Sequence, residues 1–208
     1  MGIWSFGNKK SQNIFTIFWL DRIPWYTEYM NNIQEFIEYV LYLGNHCPNL
    51  TLTKLYKLLW FANLAYADKH GGVMIRDIFL KQKYGPVPEI WKSYIETVRS
   101  SLGQEDENIK VSITMINGYE HIYILPKRES NMEYLSEVDV EILDQIIENY
   151  GTMNASELSK LSHDVAWESV DLYERVDITK DMKKTEYKWI VWDIYDDISF
   201  LTWARMYA

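Results

Sequence analysis

Four histidines, one cysteine and a surplus of carboxylates are the chemically versatile side chains of this 208-residue sequence. His46, His70, His121 and His163 are scattered, with no pair at metal-ligand spacing. There is no His-Glu-x-x-His, no Gly-rich phosphate loop and no Gly-x-Ser-x-Gly elbow. The sequence therefore leads us to expect no catalytic residue, no metal and no cofactor. Cys47 stands alone, which excludes an intramolecular disulfide and a Cys-based zinc site and fits a reducing compartment. The net charge of −9 argues against a non-specific nucleic-acid binder, which needs a basic face to displace counterions.

Binding is the chemistry that remains, and four features could carry it. Seven acids lie between Glu129 and Glu148, with Arg128 just before them. Such a run is either a solvated helix face or a surface that speeds encounter with a basic partner, and Glu137, Glu141 and Glu148 are its candidates. Tyr84-Gly85-Pro86 is either a rigid connector or an exposed recognition turn. His163 either caps or braces the turn before Trp167, or contacts a partner together with Trp167. The fourth feature is the aromatic excess of 9 Trp, 16 Tyr and 7 Phe, because it clusters at the ends. Trp4, Trp19 and Trp25 open the chain and Trp189, Trp192 and Trp203 close it, leaving Trp60, Trp91 and Trp167 between. These ends either extend the core or offer interface anchors, with Trp189 and Trp192 as candidates. Charge divides likewise: residues 1–26 carry +2 and residues 179–208 carry 0, so the acidity is central.

The elements that must position these residues follow from periodicity. Apolar residues at helical spacing predict a helix from about Glu28 to Leu43, closed by Gly44-Asn45 and stopped by Pro48. A second helix runs from about Thr53 to Gly71-Gly72, apolar around more than half its circumference, and so central to the core. Irregular or short-strand chain follows over 73–82, then the stiff turn Tyr84-Gly85-Pro86-Val87-Pro88. A third helix begins at Pro88 and stops at Gly103. The period then changes to two on either side of Asn117-Gly118, a β-hairpin signal over about 109–125. Ser136 with Asp139, and Asn154 with Glu157, are capping boxes that open helices before and after Gly151. One or two helical turns follow through Ala166-Trp167, and the stretch 183–208, apolar nearly all round, leans towards helix, with strand the alternative at Ile190-Val191-Trp192. No signal peptide is expected, because the apolar run Ile14–Leu20 is short and Asp21-Arg22 follow it. Phe6 stands where myristoylation needs Ser or Thr.

Two blocks now stand together. One is Lys57-Leu58-Leu59-Trp60-Phe61-Ala62-Asn63-Leu64-Ala65, then Gly72, then Lys83-Tyr84-Gly85-Pro86-Val87-Pro88. The other is Leu143, Ile147, Tyr150-Gly151, Ser156, Leu158-Ser159 and Ser162-His163 with Trp167. Over roughly residues 30–175 this order resembles the Panacea, or SocA-like antitoxin, domain. That family typically shows a K-L-L-Y-F-A-D helix, a Y-G-P-V motif and a late Y-G…E-L-S…T-H…W segment. The departures are Trp60 for Tyr, Ser162 for Thr, and Asn63 for Asp, which removes a carboxylate. The resemblance implies an antitoxin that binds and neutralises a protein toxin encoded beside it. It also implies that some members act as adaptors to an ATP-dependent protease, and that members travel in prophages and mobile elements.

The expected fold is mostly α (α+β): a compact helical domain around one central apolar helix, with one β-hairpin and aromatic-rich ends. The expected domains are an N-terminal extension (1–26), the antitoxin domain (27–178) and a Trp-rich segment packed on it (179–208). The expected function is non-catalytic neutralisation of a basic toxin in the cytoplasm, with no membrane partner and a homo-oligomer left open. The alternatives are a proteolytic adaptor, and a prophage regulator or anti-defence protein reading DNA through the helix pair at 136–163. Against DNA, the candidate recognition helix offers only Lys160, opposed by Glu157.

Overall fold

The computed structural model describes the backbone of residues 24–206 and the side chains of residues 33–198. Trp4 and Trp19, the stretch 14–20 and most of the expected N-terminal extension lie outside the described residues.

Helix α1 (Pro24–His46) buries Phe36, Ile37 and Tyr39–Leu43. It runs past Gly44-Asn45, the expected stop. Gly44 faces the side chain of Pro126, to which a Cβ would come within 3.2 Å. The glycine therefore serves close packing rather than helix termination. Helix α2 (Leu52–His70) is the centre of the core, with Leu55, Leu58, Leu59, Trp60 and Ala62 fully buried. Its ends are set locally. The Thr51 hydroxyl accepts from Lys54 N, and Gly71 adopts a left-handed φ of 68° and donates to Ala67 O.

Strands β1 (Phe79–Gln82) and β2 (Gly85–Pro88) form a tight antiparallel ladder around Lys83-Tyr84, so the stretch read as a stiff turn is largely strand. Prolines disrupt strands only where their missing N–H is needed. Here Glu89 N donates to Ile78 O, continuing the alternate positions of Gly85 and Val87. Pro86 and Pro88 fall on the other parity, where the ladder asks for no donor. The far side of β1 is also paired: Lys81 N donates to Glu174 O, Tyr173 N to Lys81 O, and Val176 N to Phe79 O.

Helix α3 (Glu89–Ser100) follows without a cap from Pro88. Asp77, fully buried, reaches back to cap it. One carboxylate oxygen accepts from Ile78 N (2.7 Å) and Ile90 N (3.1 Å), and the other from Trp91 N (3.1 Å). Burial pushes the Asp77 carboxyl up to about 7, against the three N–H groups that pull it down.

Strands β3 (Ile109–Ile116) and β4 (Tyr119–Pro126) make the expected hairpin, with Asn117 and Gly118 at φ 52° and 81°. Arg128, just beyond β4, forms a two-pronged bond (2.9 and 2.7 Å) to the fully covered Glu38 of α1. Helices α4 (Glu137–Tyr150) and α5 (Ala155–Leu161) both open with the expected capping boxes. A short helix α6 (Val165–Glu168) is capped by Asp164. Helix α7 (Lys188–Met206) ends the described chain and buries Val191 and Tyr195 against the core. The fold is thus mostly α with some β. Among the described residues no helix is long and apolar enough to cross a membrane.

Candidate functional site

The two sequence blocks converge around one buried lysine. Lys57 faces inward on α2 beside Leu58, and its Nζ donates to Pro86 O at 2.7 Å. Burial pushes its ammonium down to about 7, with the Asp164 carboxylate pulling the other way. Gly85 lies over this side chain at φ 103°, and a Cβ there would lie 2.6 Å from Lys57 Cε and 2.2 Å from Ser162 Oγ. Ser159 Oγ donates to Tyr84 O (2.7 Å) and Ser162 Oγ to Ser159 O (2.9 Å). Helices α2 and α5 thereby fix the β1–β2 turn from beneath.

Trp60 and Asn63, two of the departures from the pattern, are both hydrogen-bonded. Trp60 Nε1 donates to Asp164 Oδ2 at 2.7 Å, and the other Asp164 oxygen accepts from Trp167 N at 2.9 Å. Asp181 accepts from Val165 N and Ala166 N, so two carboxylates meet the same helix start. Burial, reinforced by the Asp181 charge, pushes Asp164 up to about 6. Asn63 uses both ends of its amide. Its oxygen accepts from Met74 N (2.9 Å) and Ile75 N (3.0 Å), while its nitrogen donates to Ile75 O (3.3 Å) and the Tyr195 hydroxyl. A carboxylate would lose both donations, one of them to a carbonyl that would then repel it.

His163 braces Trp167 by stacking, with centroids 3.8 Å apart and planes 7° from parallel, while the capping belongs to Asp164. The His163 Nε2 is buried without a hydrogen-bond partner. Burial, and then the Lys57 charge, hold that imidazole below its usual range. Trp167 Nε1 donates to Gln82 O (3.1 Å), and Lys81 Nζ lies 4.1 Å over its ring while donating to Val170 O.

This support presents Tyr84 to solvent at 61% exposure, with Lys83 Nζ 5.4 Å from its ring, whereas Gly85 and Pro86 are buried. Tyr173, whose N–H donates to Lys81 O on β1, holds a left-handed φ of 71° with its side chain exposed. An aromatic residue in that region is a strained outlier, and such strain clusters at functional sites. The acidic candidates lie elsewhere. Glu137, Glu141 and Glu148 are exposed on α4, where Glu141 pairs with Lys69 (2.5 Å). Trp189 and Trp192 are exposed on α7.

Lys57, Asp164, Lys81 and Tyr173 were not among the candidates read from sequence. A lysine flanked by Leu55, Leu58 and Leu59 was the available signal for Lys57, and Asp before Val165 for a cap. Nothing in Asp171-Leu172-Tyr173-Glu174 announces a positive φ. Among the described residues, no three His, Cys, Asp or Glu groups gather to hold a metal.

The Lys57 environment predicts a pH dependence. Between about 7 and its ordinary 10.5, the unfolded chain binds a proton that the folded chain lacks, so stability rises with pH. We expect a gain of about 2 kcal/mol from this group between roughly pH 7 and 9 in urea unfolding, absent in Lys57→Met. Equal slopes in the two proteins would exclude a neutral buried lysine.

The family model described as antitoxin SocA-like, Panacea domain, matches residues 55–168. The matched stretch starts within α2 and ends with α6, enclosing Lys57, the Tyr84-Gly85-Pro86 turn, His163 and Trp167. No curated protein and no solved structure matches the chain.

Proposed function

As the chain belongs to the SocA-like antitoxins with a Panacea domain, we propose that it neutralises a cognate protein toxin by direct contact. The observation that carries this reading is the exposed turn on a rigid base. Tyr84 projects from a ladder whose every side is tied down by Lys57, Ser159 and Trp167. An exposed Tyr on a fixed backbone is a favoured interface anchor, because the turn itself has little conformational freedom left to lose. In this reading Tyr84 touches the toxin, Gly85 and Pro86 aim it, and the His163–Trp167 stack with Lys81 sets the floor. Tyr173 extends the contact.

Residues 27–178 would form the antitoxin unit and 179–208 a segment folded against it through Val191 and Tyr195. The exposed α4 acids Glu137, Glu141 and Glu148 would draw in a basic toxin, and Glu141 contributes least because Lys69 already pairs with it. A DNA-reading role for α4 and α5 is disfavoured by the same geometry. Helix α5 buries Leu158 and Ser159, leaving Lys160 as its one base.

Co-expression with the adjacent gene tests the reading. A toxic neighbour should be silenced by this protein, and by Tyr84→Ala far less; a neighbour harmless on its own would overturn it. Reversing Glu137 and Glu148 to Lys should slow association several-fold at low salt while leaving dissociation unchanged. The neighbour's lifetime with and without an ATP-dependent protease separates occlusion from delivery to proteolysis.

A further inference from the structure

Helix α7 (Lys188–Met206) has two faces of different chemistry. At 100° per residue, Val191, Tyr195 and Ile198 share one side. The first two are buried and the third packs against the core. Trp189, Trp192, Asp193, Asp196 and Asp197 occupy the opposite side, and all five are exposed. Trp189 is 70% exposed and Trp192 is 47% exposed. Each Trp is followed four residues later by an Asp, so ring and carboxylate are neighbours on the helix surface.

We propose that this face of α7 is an arginine-recognition surface that seats guanidinium groups of a basic protein partner. A guanidinium is flat, stacks on indole and offers paired donors to a carboxylate, so one group satisfies both halves of the stripe. At the edge of the stripe one guanidinium of the chain already meets the carboxylate half. Arg175 Nη1 lies 3.3 Å from Asp196 Oδ1 and donates to Tyr195 O at 3.4 Å. Asp193 and Asp197 are left for a partner, with no ion pair among the described residues. The same three carboxylates repel phosphates, so a nucleic acid would gain stacking on Trp but meet unfavourable charge. The stripe lies outside residues 55–168, so it is a feature of this chain beyond the matched domain. Only the identity of the partner as a toxin rests on the reading above.

The test uses the full chain labelled with nitrogen-15. Indole N–H signals of Trp189 and Trp192, assigned from Trp189→Phe and Trp192→Phe, are followed while a blocked tri-arginine peptide is added. Both signals should move, less with the tri-lysine peptide, and in the Asp193→Lys/Asp197→Lys double variant the Trp189 signal should no longer move. These substitutions lie on the solvent face, and the variant's unchanged spectrum elsewhere reports that it is folded. Still signals, or equal movement in the variant, would overturn the proposal. The product of the adjacent gene supplies the second arm: the double variant should bind it at least about tenfold more weakly. Unchanged affinity would overturn the proposal and leave the antitoxin reading standing. A neighbour that binds neither protein would remove that reading, and the peptide titration would still decide the stripe.

Discussion

Gly85→Ala is expected to destabilise the protein by about 3–4 kcal/mol and lower the unfolding temperature by roughly 10 °C. Two costs add. The φ of 103° is one that only glycine adopts without strain. The new Cβ would also lie 2.2 Å from Ser162 Oγ and 2.6 Å from Lys57 Cε. Neither neighbour yields cheaply, because Ser162 Oγ is bonded to Ser159 O and Lys57 Nζ to Pro86 O. Shortening Ser162 to Gly in the same molecule should recover part of the loss, since it relieves one overlap and leaves the backbone strain. Urea unfolding measures both. A loss under about 1 kcal/mol in Gly85→Ala would mean that the ladder shifts freely and does not hold Tyr84 rigid.

Asp77→Ala should cost about 4 kcal/mol at neutral pH, judged from three N–H groups, two of them buried, that lose their acceptor. Two of them open α3, where Pro88 supplies no substitute. The pH dependence gives the result a signature. With the folded carboxyl pushed up to about 7, the folded chain holds a proton that the unfolded chain releases between roughly pH 4 and 7. The stability contributed by Asp77 therefore declines as pH rises through that window. The gap between wild type and variant should narrow from pH 4 to 7, and a constant gap would contradict a raised carboxyl. Asp164, pushed up to about 6, titrates in both proteins and leaves the gap unchanged.

Local signals were legible in the sequence. Asn117-Gly118 set the hairpin, and Ser136 and Asn154 set helix starts, because each acts on backbone within three residues. Gly44 and the prolines at 86 and 88 misled for the opposite reason: their meaning is set from a distance. Gly44 answers to Pro126, and the prolines are tolerated because the parity of one ladder asks nothing of them. The site was half legible. Its motif residues were visible, but Lys57 meets Pro86, Trp60 meets Asp164 and Asn63 meets Tyr195, across separations of 29, 104 and 132 residues. No spacing rule reaches that far. Helix α7 shows the limit of periodicity. Tryptophans on its outer side mask the alternation of buried and exposed faces, so a sequence window finds it apolar all round.

The ladder under Tyr84 has no backbone left to offer. Strand β1 is paired on both sides, and Pro86 and Pro88 bring no donor to the outer side of β2, where the Pro86 carbonyl is already taken by Lys57. A partner cannot join this sheet as another strand; it must read side chains. Recognition written in side chains is revisable one residue at a time, whereas recognition written in backbone is tied to the fold. The proline-lined edge thus separates what this domain must keep to fold from what it is free to change. A lineage built on such a scaffold can trade one partner for another without relearning how to fold.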